Sequence, residues 1–446
     1  TFRFYGDDAM KKICILGLGY IGLPTAAMFA AHGLEVVGVD INPEILEGLL
    51  NGEPHIQELG LQPMVQQAIQ SGRMRIKSAP ETADAFIIAV PTPFVKESTL
   101  PESETGFSVA HYDRKADMRY VVSAAEAIIP VLRRSNLVIL ESTSPPRTTL
   151  DLVKPILERS GLLAGPDFHL AYSPERVLPG RILQELVENA RVIGGIDRQS
   201  AEAGRELYSL FVRGEIVLTD TVTAEMVKLM ENTYRDVNIA IANEFSRLAD
   251  RFGVDVWEAI HIANRHPRVK ILNPGPGVGG HCISVDPWFL VEAAPDLSPL
   301  IRTARQVNDA QPAFIQTKIE RALGGLAGRK IAVLGLAYKA DVDDLRESPA
   351  TAIAEQLAHR GALVSAYEPH KPAYAPPGVE AAGSLANAVA GCELIAFLVG
   401  HQAFRQLTPA RLKALTPARL ALDAVGILNP VEWRQAGFKL IRLGAG

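Results

Sequence analysis

Lys12-Ile13-Cys14-Ile15-Leu16-Gly17-Leu18-Gly19-Tyr20-Ile21-Gly22 is an apolar run that stops on a glycine turn, and the segment behind it, Leu23 to His32, is alanine-rich and helical in character. Strand, glycine turn and helix follow in the order that cradles a pyrophosphate at a helix N-terminus. Glu35-Val36-Val37-Gly38-Val39-Asp40 then reads as a second buried strand ending in an acid, about 20 residues past the glycines, where a ribose hydroxyl needs an acceptor. Gly17, Gly19, Tyr20, Ile21, Gly22 and Asp40 are therefore the expected cofactor contacts. Asp40 would repel a 2′-phosphate, so the expected cofactor is NAD rather than NADP.

Two further strands end on hydroxyl residues. Ala85 to Val90 runs into Pro91-Thr92-Pro93, and Leu137 to Leu140 runs into Glu141-Ser142-Thr143-Ser144-Pro145. At the carboxyl edge of an open α/β sheet, Thr92 and Thr143 could face the nicotinamide; the alternative is that both are turn and capping residues. Between them, Phe94 to Arg114 is polar and aperiodic, as in an exposed insertion loop.

The pattern returns late in the chain. Lys330 to Tyr338 repeats the shape of Lys12 to Tyr20 without the third glycine, Arg360 to Pro369 echoes His32 to Asp40, and Cys392 to Val399 echoes the strand at Ala85. A second Rossmann-like half is expected, binding another phosphate compound or closing over the first site. Between the halves, Thr221 to Ala322 has a helical period, with Ala224, Val227, Leu229, Met230, Tyr234, Val237, Ile241, Phe245 and Leu248 forming an apolar stripe. Such a stripe pairs with a copy of itself or is buried within one chain. Ser298 to Ala322 reads as a connecting helix.

Length and composition agree. With 446 residues and about 150 residues per domain, about three domains are expected. A hydrophobic fraction of 48%, 21% charged residues and a net charge of -5 give no basic surface for nucleic acid. Cys14, Cys282 and Cys392 are scattered, which argues against a disulfide framework and for the cytoplasm. No apolar run approaches the roughly 20 residues of a membrane span. Thr1 to Met10 lack the basic start and apolar stretch of a signal peptide, and Met10 before Lys11-Lys12 could be a native start preceded by extra residues.

Chemistry concentrates in three places. Pro274-Gly275-Pro276-Gly277-Val278-Gly279-Gly280-His281-Cys282-Ile283-Ser284-Val285-Asp286-Pro287 presents a thiol behind a glycine-rich turn. Asp286-Pro287 reads as an N-cap and first-turn proline, which sets Cys282 shortly before a helix N-terminus that favours thiolate. The bland alternative is a buried cysteine in a tight turn. Lys228 and Asn232 lie four apart on a helix, able to hold a water or an oxyanion, or to sit on a solvated face. Tyr172 to Gly180 carries Glu175, a candidate base or water-positioning acid, unless it only forms a loop salt bridge with Arg176. His266, flanked by Arg265 and Arg268, suits a diphosphate or sugar, or is a satisfied structural histidine. No metal site is expected, since His281, Cys282 and Asp286 lack the spaced set that zinc requires.

With these stretches the chain resembles the nucleotide-sugar 6-dehydrogenases, the family of UDP-glucose and GDP-mannose dehydrogenases, from about Lys12 onward. The resemblance rests on Gly17 to Gly22, Ala89 to Pro93, Glu141 to Pro145, Ser173 to Gly180, Ala224 to Asn232, Ala263 to Val269, Pro274 to Asp286 and Asp343 to Pro349. It implies NAD-dependent four-electron oxidation of a UDP-sugar at C6. Cys282 would attack the aldehyde, while Lys228, Asn232 and Asp286 would handle the water and the oxyanion. Thr143 and Glu175 would be further active-site positions, and Arg346 a cofactor or substrate contact. Substrate contacts are expected at Glu175, Arg176, Val177, Lys228, Asn232, Arg265, His266, Arg268, Gly279, Tyr338 and Lys339.

Two positions depart from the family pattern. Arg147 stands where many members have glycine, and Pro179 replaces a carboxylate carried four residues beyond Glu175 in the glucose enzymes. The second agrees with members acting on N-acetylated sugars. UDP-N-acetylmannosamine is the expected substrate, with UDP-N-acetylglucosamine and UDP-glucose as alternatives. A non-catalytic NAD-binding protein would not need the thiol, and a two-electron hydroxyacid dehydrogenase would need neither thiol turn nor third domain. The expected architecture is α/β, with two Rossmann-like doubly wound domains joined by a helical middle: NAD-binding over 11–220, dimerisation and catalysis over 221–322, and UDP-sugar binding over 323–446.

Overall fold

In the computed structural model the described residues are 10–56, 58–95, 115–280 and 282–445. The chain forms two compact units, one ending at Glu231 and the other beginning at Asn232.

The first unit holds an eight-stranded sheet of β1 (Lys12–Leu16), β2 (Glu35–Val39), β3 (Met74–Lys77), β4 (Ala85–Ile88), β5 (Leu137–Leu140), β6 (His169–Tyr172), β7 (Arg191–Gly195) and β8 (Ile216–Asp220). Their order is β3-β2-β1-β4-β5-β6-β7-β8, and β6 with β7 is the antiparallel pair. The first six strands follow the doubly wound dinucleotide-binding order. Ile13 pairs with Val36 on one side and Ala85 on the other, so the strand order reverses beside β1. The central strands β4 and β5 are apolar and buried throughout because both sheet faces are covered there, whereas the edge strands β3 and β8 carry charged residues and are partly exposed. Ile13, Ile15, Ile87 and Ile139 enter one core, and Cys14, Phe86, Ile88 and Val138 the other.

The second unit repeats the plan with β9 (Lys330–Leu334), β10 (Leu363–Tyr367), β11 (Glu380–Ala381), β12 (Leu394–Phe397), β13 (Leu420–Asp423) and β14 (Lys439–Arg442). The order is β11-β10-β9-β12-β13-β14, every pair parallel. The expected echo extends to the turn after the first strand. Gly335 has φ +91°, and a Cβ there would lie 2.5 Å from Val399 Cβ.

In the chain between β8 and β9 the regular elements are helices, with two differences from expectation. The connecting helix is two, Pro299–Asp309 and Gln311–Leu323, broken at Ala310 because Pro312 lacks the N–H that would continue the ladder. The apolar stripe of the long helix Thr221–Phe252 is not buried within the chain. Ala224 and Leu229 are covered, but Met230, Tyr234, Ile241, Phe245 and Leu248 are 58%, 70%, 42%, 40% and 44% exposed. The covered face instead carries Glu225, Lys228, Asn232, Asp236, Asn243 and Ser246.

Most of the loop expected over Phe94 to Arg114 lies outside the described residues. Among the described residues no helix is long and apolar enough to cross a membrane.

Candidate active site

The glycines after β1 divide three physical tasks. Gly17 has φ +94°, and a Cβ there would meet the Ala89 carbonyl oxygen at 2.6 Å. At Gly22 a Cβ would fall 1.8 Å from Gly17 O, so this glycine sets the close approach of helix and strand. At Gly19 a Cβ would have nothing within 4 Å, leaving open backbone for a pyrophosphate. Helix Gly22–Ala31 has no side-chain cap and no acid in its first turn, so its leading N–H groups remain suited to phosphate. Tyr20 and Ile21 are half-buried at its start. Asp40 accepts from Leu18 N through Oδ2 and from Asn42 N through Oδ1, both at 2.9 Å. It thus locks the glycine turn, and further lone pairs of the carboxylate remain for a ribose hydroxyl. The donor set fits NAD.

At the carboxyl edge of β4 and β5, Thr92 Oγ1 donates to the Thr143 carbonyl at 2.6 Å, bringing the two expected residues together. The following turn holds Arg147 at φ +73°, the conformation that explains glycine in other members. Glu225 clamps that turn: its carboxylate accepts from Arg147 N, Thr149 N and Thr149 Oγ1. The Arg147 guanidinium turns away to Asp151.

Glu175 does not pair with the Arg176 guanidinium, which reaches Glu231 instead. Its partner is Arg191, a residue the sequence reading passed over. Arg191 also donates to Glu141 at 3.1 Å and Ser173 at 3.0 Å, and its guanidinium carbon lies 3.9 Å from the centre of the Tyr208 ring. Tyr208 donates to Glu141 at 2.8 Å. One guanidinium therefore faces two buried carboxylates. Burial, helped by the charge of Glu175 and opposed by that of Arg191, pushes the Glu141 carboxyl up to about 7. The visible signal was Glu141 at the end of an apolar strand; Arg191 gave none beyond a charge opening a strand.

Lys228 is buried and its Nζ donates to the Glu175 carbonyl at 2.8 Å. Asn232, one turn along the helix and also buried, donates to Asp286 Oδ2 at 2.5 Å. Neither sits on a solvated face.

Cys282 is exposed, whereas Cys14 and Cys392 are buried. Burial pushes the Cys14 thiol up to about 12 and raises that of Cys392, as befits structural thiols. The Cys282 carbonyl accepts from Val285 N at 3.1 Å and Asp286 N at 2.8 Å, which folds the thiol-bearing turn onto the helix start. Val285, not Asp286, holds the cap position; Asp286 is the first helical residue, and its carboxylate turns to Asn232.

The glycine segment before the thiol packs closely. A Cβ at Gly279 would lie 2.5 Å from Glu347 O, and one at Gly280 2.8 Å from the Tyr338 ring. Gly280 N donates to Arg346 O at 3.0 Å. Gly275 N donates to Asn243, which also donates to Asn308, anchoring the segment at its other end. Arg346 is half-exposed and braced by Asp344. Lys339 is half-buried beside Tyr338, and Val177 half-buried after Arg176. Arg265, His266 and Arg268 are exposed, with local hydrogen bonds such as Arg265 to His261 at 3.5 Å and Arg268 N to His266 at 3.4 Å.

Comparison with known proteins covers nearly the whole chain. Models of the UDP-glucose/GDP-mannose dehydrogenase family match in chain order: the NAD binding domain over residues 11–212, the central domain over 222–310 and the UDP binding domain over 332–430. The chain is 46% identical over 447 residues to UDP-N-acetyl-D-mannosamine dehydrogenase of Methanococcus maripaludis, spanning 99% of both. It is 46% identical over 432 residues to NDP-N-acetyl-D-galactosaminuronic acid dehydrogenase of Ralstonia nicotianae, spanning 94% of this chain and 97% of that one. Among solved structures, UDP-D-ManNAc dehydrogenase from Pyrococcus horikoshii is 39% identical, with a TM-score of 0.87 over 98% of this chain and 99% of the other.

Proposed function

The chain belongs to the UDP-glucose/GDP-mannose dehydrogenase family and is an NAD-dependent nucleotide-sugar dehydrogenase, and from that premise we propose that it oxidises the C6 alcohol of UDP-N-acetyl-D-mannosamine to the carboxylate through Cys282. The observation that carries the thiol mechanism is the contrast among the cysteines: the one thiol on a glycine turn at a helix start is the exposed one. The mannosamine substrate rests on the relatives at 46% and 39% identity.

NAD supplies the hydride acceptor. Lys228 and Asn232 take the roles of stabilising the alkoxide as the alcohol loses its proton, directly or through water. The aldehyde has no second hydride to give until a nucleophile adds to it, and Cys282 thiolate supplies one as a thiohemiacetal. Loss of the second hydride, to a second NAD, leaves a thioester. Water then cleaves it, releasing the acid and the thiol, with Asp286 and Asn232 positioning that water. Glu175 acts as a positioning group through its carbonyl contact to Lys228. Thr143 is assigned to the cofactor side, and Arg346, Tyr338 and Lys339 to the UDP-sugar. The three-domain division at 220 and 322 and a homodimer through the exposed apolar stripe of the long helix belong to the same reading. So do a cytoplasmic address and a product destined for surface polysaccharide.

The test is Cys282→Ala with each of UDP-N-acetylmannosamine, UDP-N-acetylglucosamine, UDP-glucose and an N-acetylgalactosamine nucleotide. The wild type should make acid from the mannosamine compound alone, and the variant none. Full acid production by the variant rejects the thiol, and preference for another sugar rejects the substrate. The galactosamine arm is included because a relative at 46% identity carries that activity in its name.

A further inference from the structure

Asp341, His370 and His401 are distant in sequence and meet at the carboxyl edge of the second sheet. Asp341 follows β9, His370 follows β10 and His401 follows β12. The strand order reverses between β9 and β12, and that reversal is where open α/β sheets take ligands. His401 Nδ1 lies 3.7 Å, and His370 Nε2 3.9 Å, from Asp341 Oδ1. The three donor atoms all lie within 4.8 Å of one another.

A second observation fixes which nitrogen of His401 carries the lone pair. His401 and Glu368 are both wholly buried, and His401 Nε2 lies 3.1 Å from Glu368 Oε2. Asp341 N donates to His401 Nδ1 at 2.9 Å, so the ring proton sits on Nε2 and is given to Glu368. The Nδ1 lone pair then points to the Asp341 side. A carboxylate behind the far nitrogen is the arrangement that orients metal-bound imidazoles. Glu368 is itself held by Leu336 N, Ala337 N and His370 N. Gln402 N donates at 2.9 Å to Asp341 Oδ1, the oxygen nearest both histidines.

We propose that Asp341, His370 and His401 form a site for a divalent transition-metal ion of the zinc, cobalt or nickel type, with Glu368 as its outer carboxylate. Two imidazoles and one carboxylate suit borderline metals rather than calcium or magnesium. Bonds of about 2.0–2.1 Å set neighbouring donors roughly 3.4 Å apart in a tetrahedral site. The two pairs that share Asp341 Oδ1, at 3.7 and 3.9 Å, close by tenths of an ångström, and the His370–His401 pair, within 4.8 Å, closes as the His370 ring swings in. His370 is exposed and makes most of that adjustment, while Asp341, also exposed, keeps its Gln402 hydrogen bond. The Asp341 amide gives up His401 Nδ1 as acceptor, and water replaces it. Asp341 shares its loop with Tyr338 and Arg346, which support Gly280, so the ion would stiffen the segment that bears on the cysteine turn.

The experiment is Co²⁺ titration of the full chain after chelator treatment, followed by visible d–d absorption and by thermal melting. The expected result is stoichiometric uptake and a raised Tm, both retained in Cys282→Ser and both lost in His370→Ala and Asp341→Asn. The variants' metal-free melting, matching the wild type, separates lost binding from lost folding. Absence of Co²⁺ uptake, uptake unchanged in His370→Ala, or uptake lost in Cys282→Ser would each overturn the site.

Discussion

Asn232 Nδ2 donates to Asp286 Oδ2 at 2.5 Å, and the carboxylate so held belongs to the first residue of the helix that follows Cys282. The bond takes Asp286 out of the capping role its position in the sequence suggested and leaves it buried and oriented. In Asp286→Asn the acceptor becomes an amide facing an amide. We expect kcat to fall by roughly 10²-fold or more, in the range of a lost acid–base partner. Intact-protein mass after mixing with UDP-N-acetylmannosamine and NAD should show accumulated thioester. Unchanged kcat, or no adduct despite a slowed reaction, would remove Asp286 from the hydrolytic step.

The Glu141–Arg191–Glu175 cluster makes stability depend on pH. Glu141 has an ordinary value of 4.5 and is pushed to about 7 in the folded chain. The folded state therefore holds that proton more tightly than the unfolded state. The stabilising contribution is complete below the ordinary value, declines as pH rises through the window up to about 7, and is absent above it. Glu141→Gln cannot ionise, so its Tm should lack that part of the wild-type decline. Parallel Tm–pH curves for the two proteins across the window would contradict the assignment.

Removing Arg191 leaves two carboxylates buried without their cation. Arg191→Leu should cost about 3–5 kcal/mol in urea unfolding at neutral pH, the usual effect of breaking a buried pair from one side. A loss below about 1 kcal/mol would mean that water reaches the cluster.

Arg147 sits in the left-handed region, which costs a side-chain-bearing residue about 1–2 kcal/mol relative to glycine. Arg147→Gly should therefore be more stable than Arg147→Ala by about that amount, both having lost the exposed pair with Asp151. Equal denaturation midpoints would show that the turn relaxes.

The strands, both glycine turns and the acids that close them were legible because each rests on local rules: apolar runs, positive-φ glycines and a strand-end carboxylate. Cys282 was legible as a thiol behind glycines. The inverted long helix was half legible, since its apolar period is plain, but whether Tyr234 and Phe245 face a core or the surface depends on what else fills the interior. Arg191, Glu225 and the Asp341–His370–His401 cluster were not. Their partners lie far away in sequence, and only the sheet topology brings those positions together. The cap at Asp286 was misread because an Asp-Pro pair fits equally well when the helix begins one residue earlier, with Asp286 as its first residue and Pro287 as its second.

NADH counted per molecule of limiting UDP-N-acetylmannosamine tests the thiol mechanism most directly. Oxidation of an alcohol to an acid through a Cys282 thioester predicts about two NADH per sugar, with the carboxylate as the sole product. About one NADH with aldehyde released would mean that Cys282 never captures the intermediate, and the covalent mechanism would be wrong.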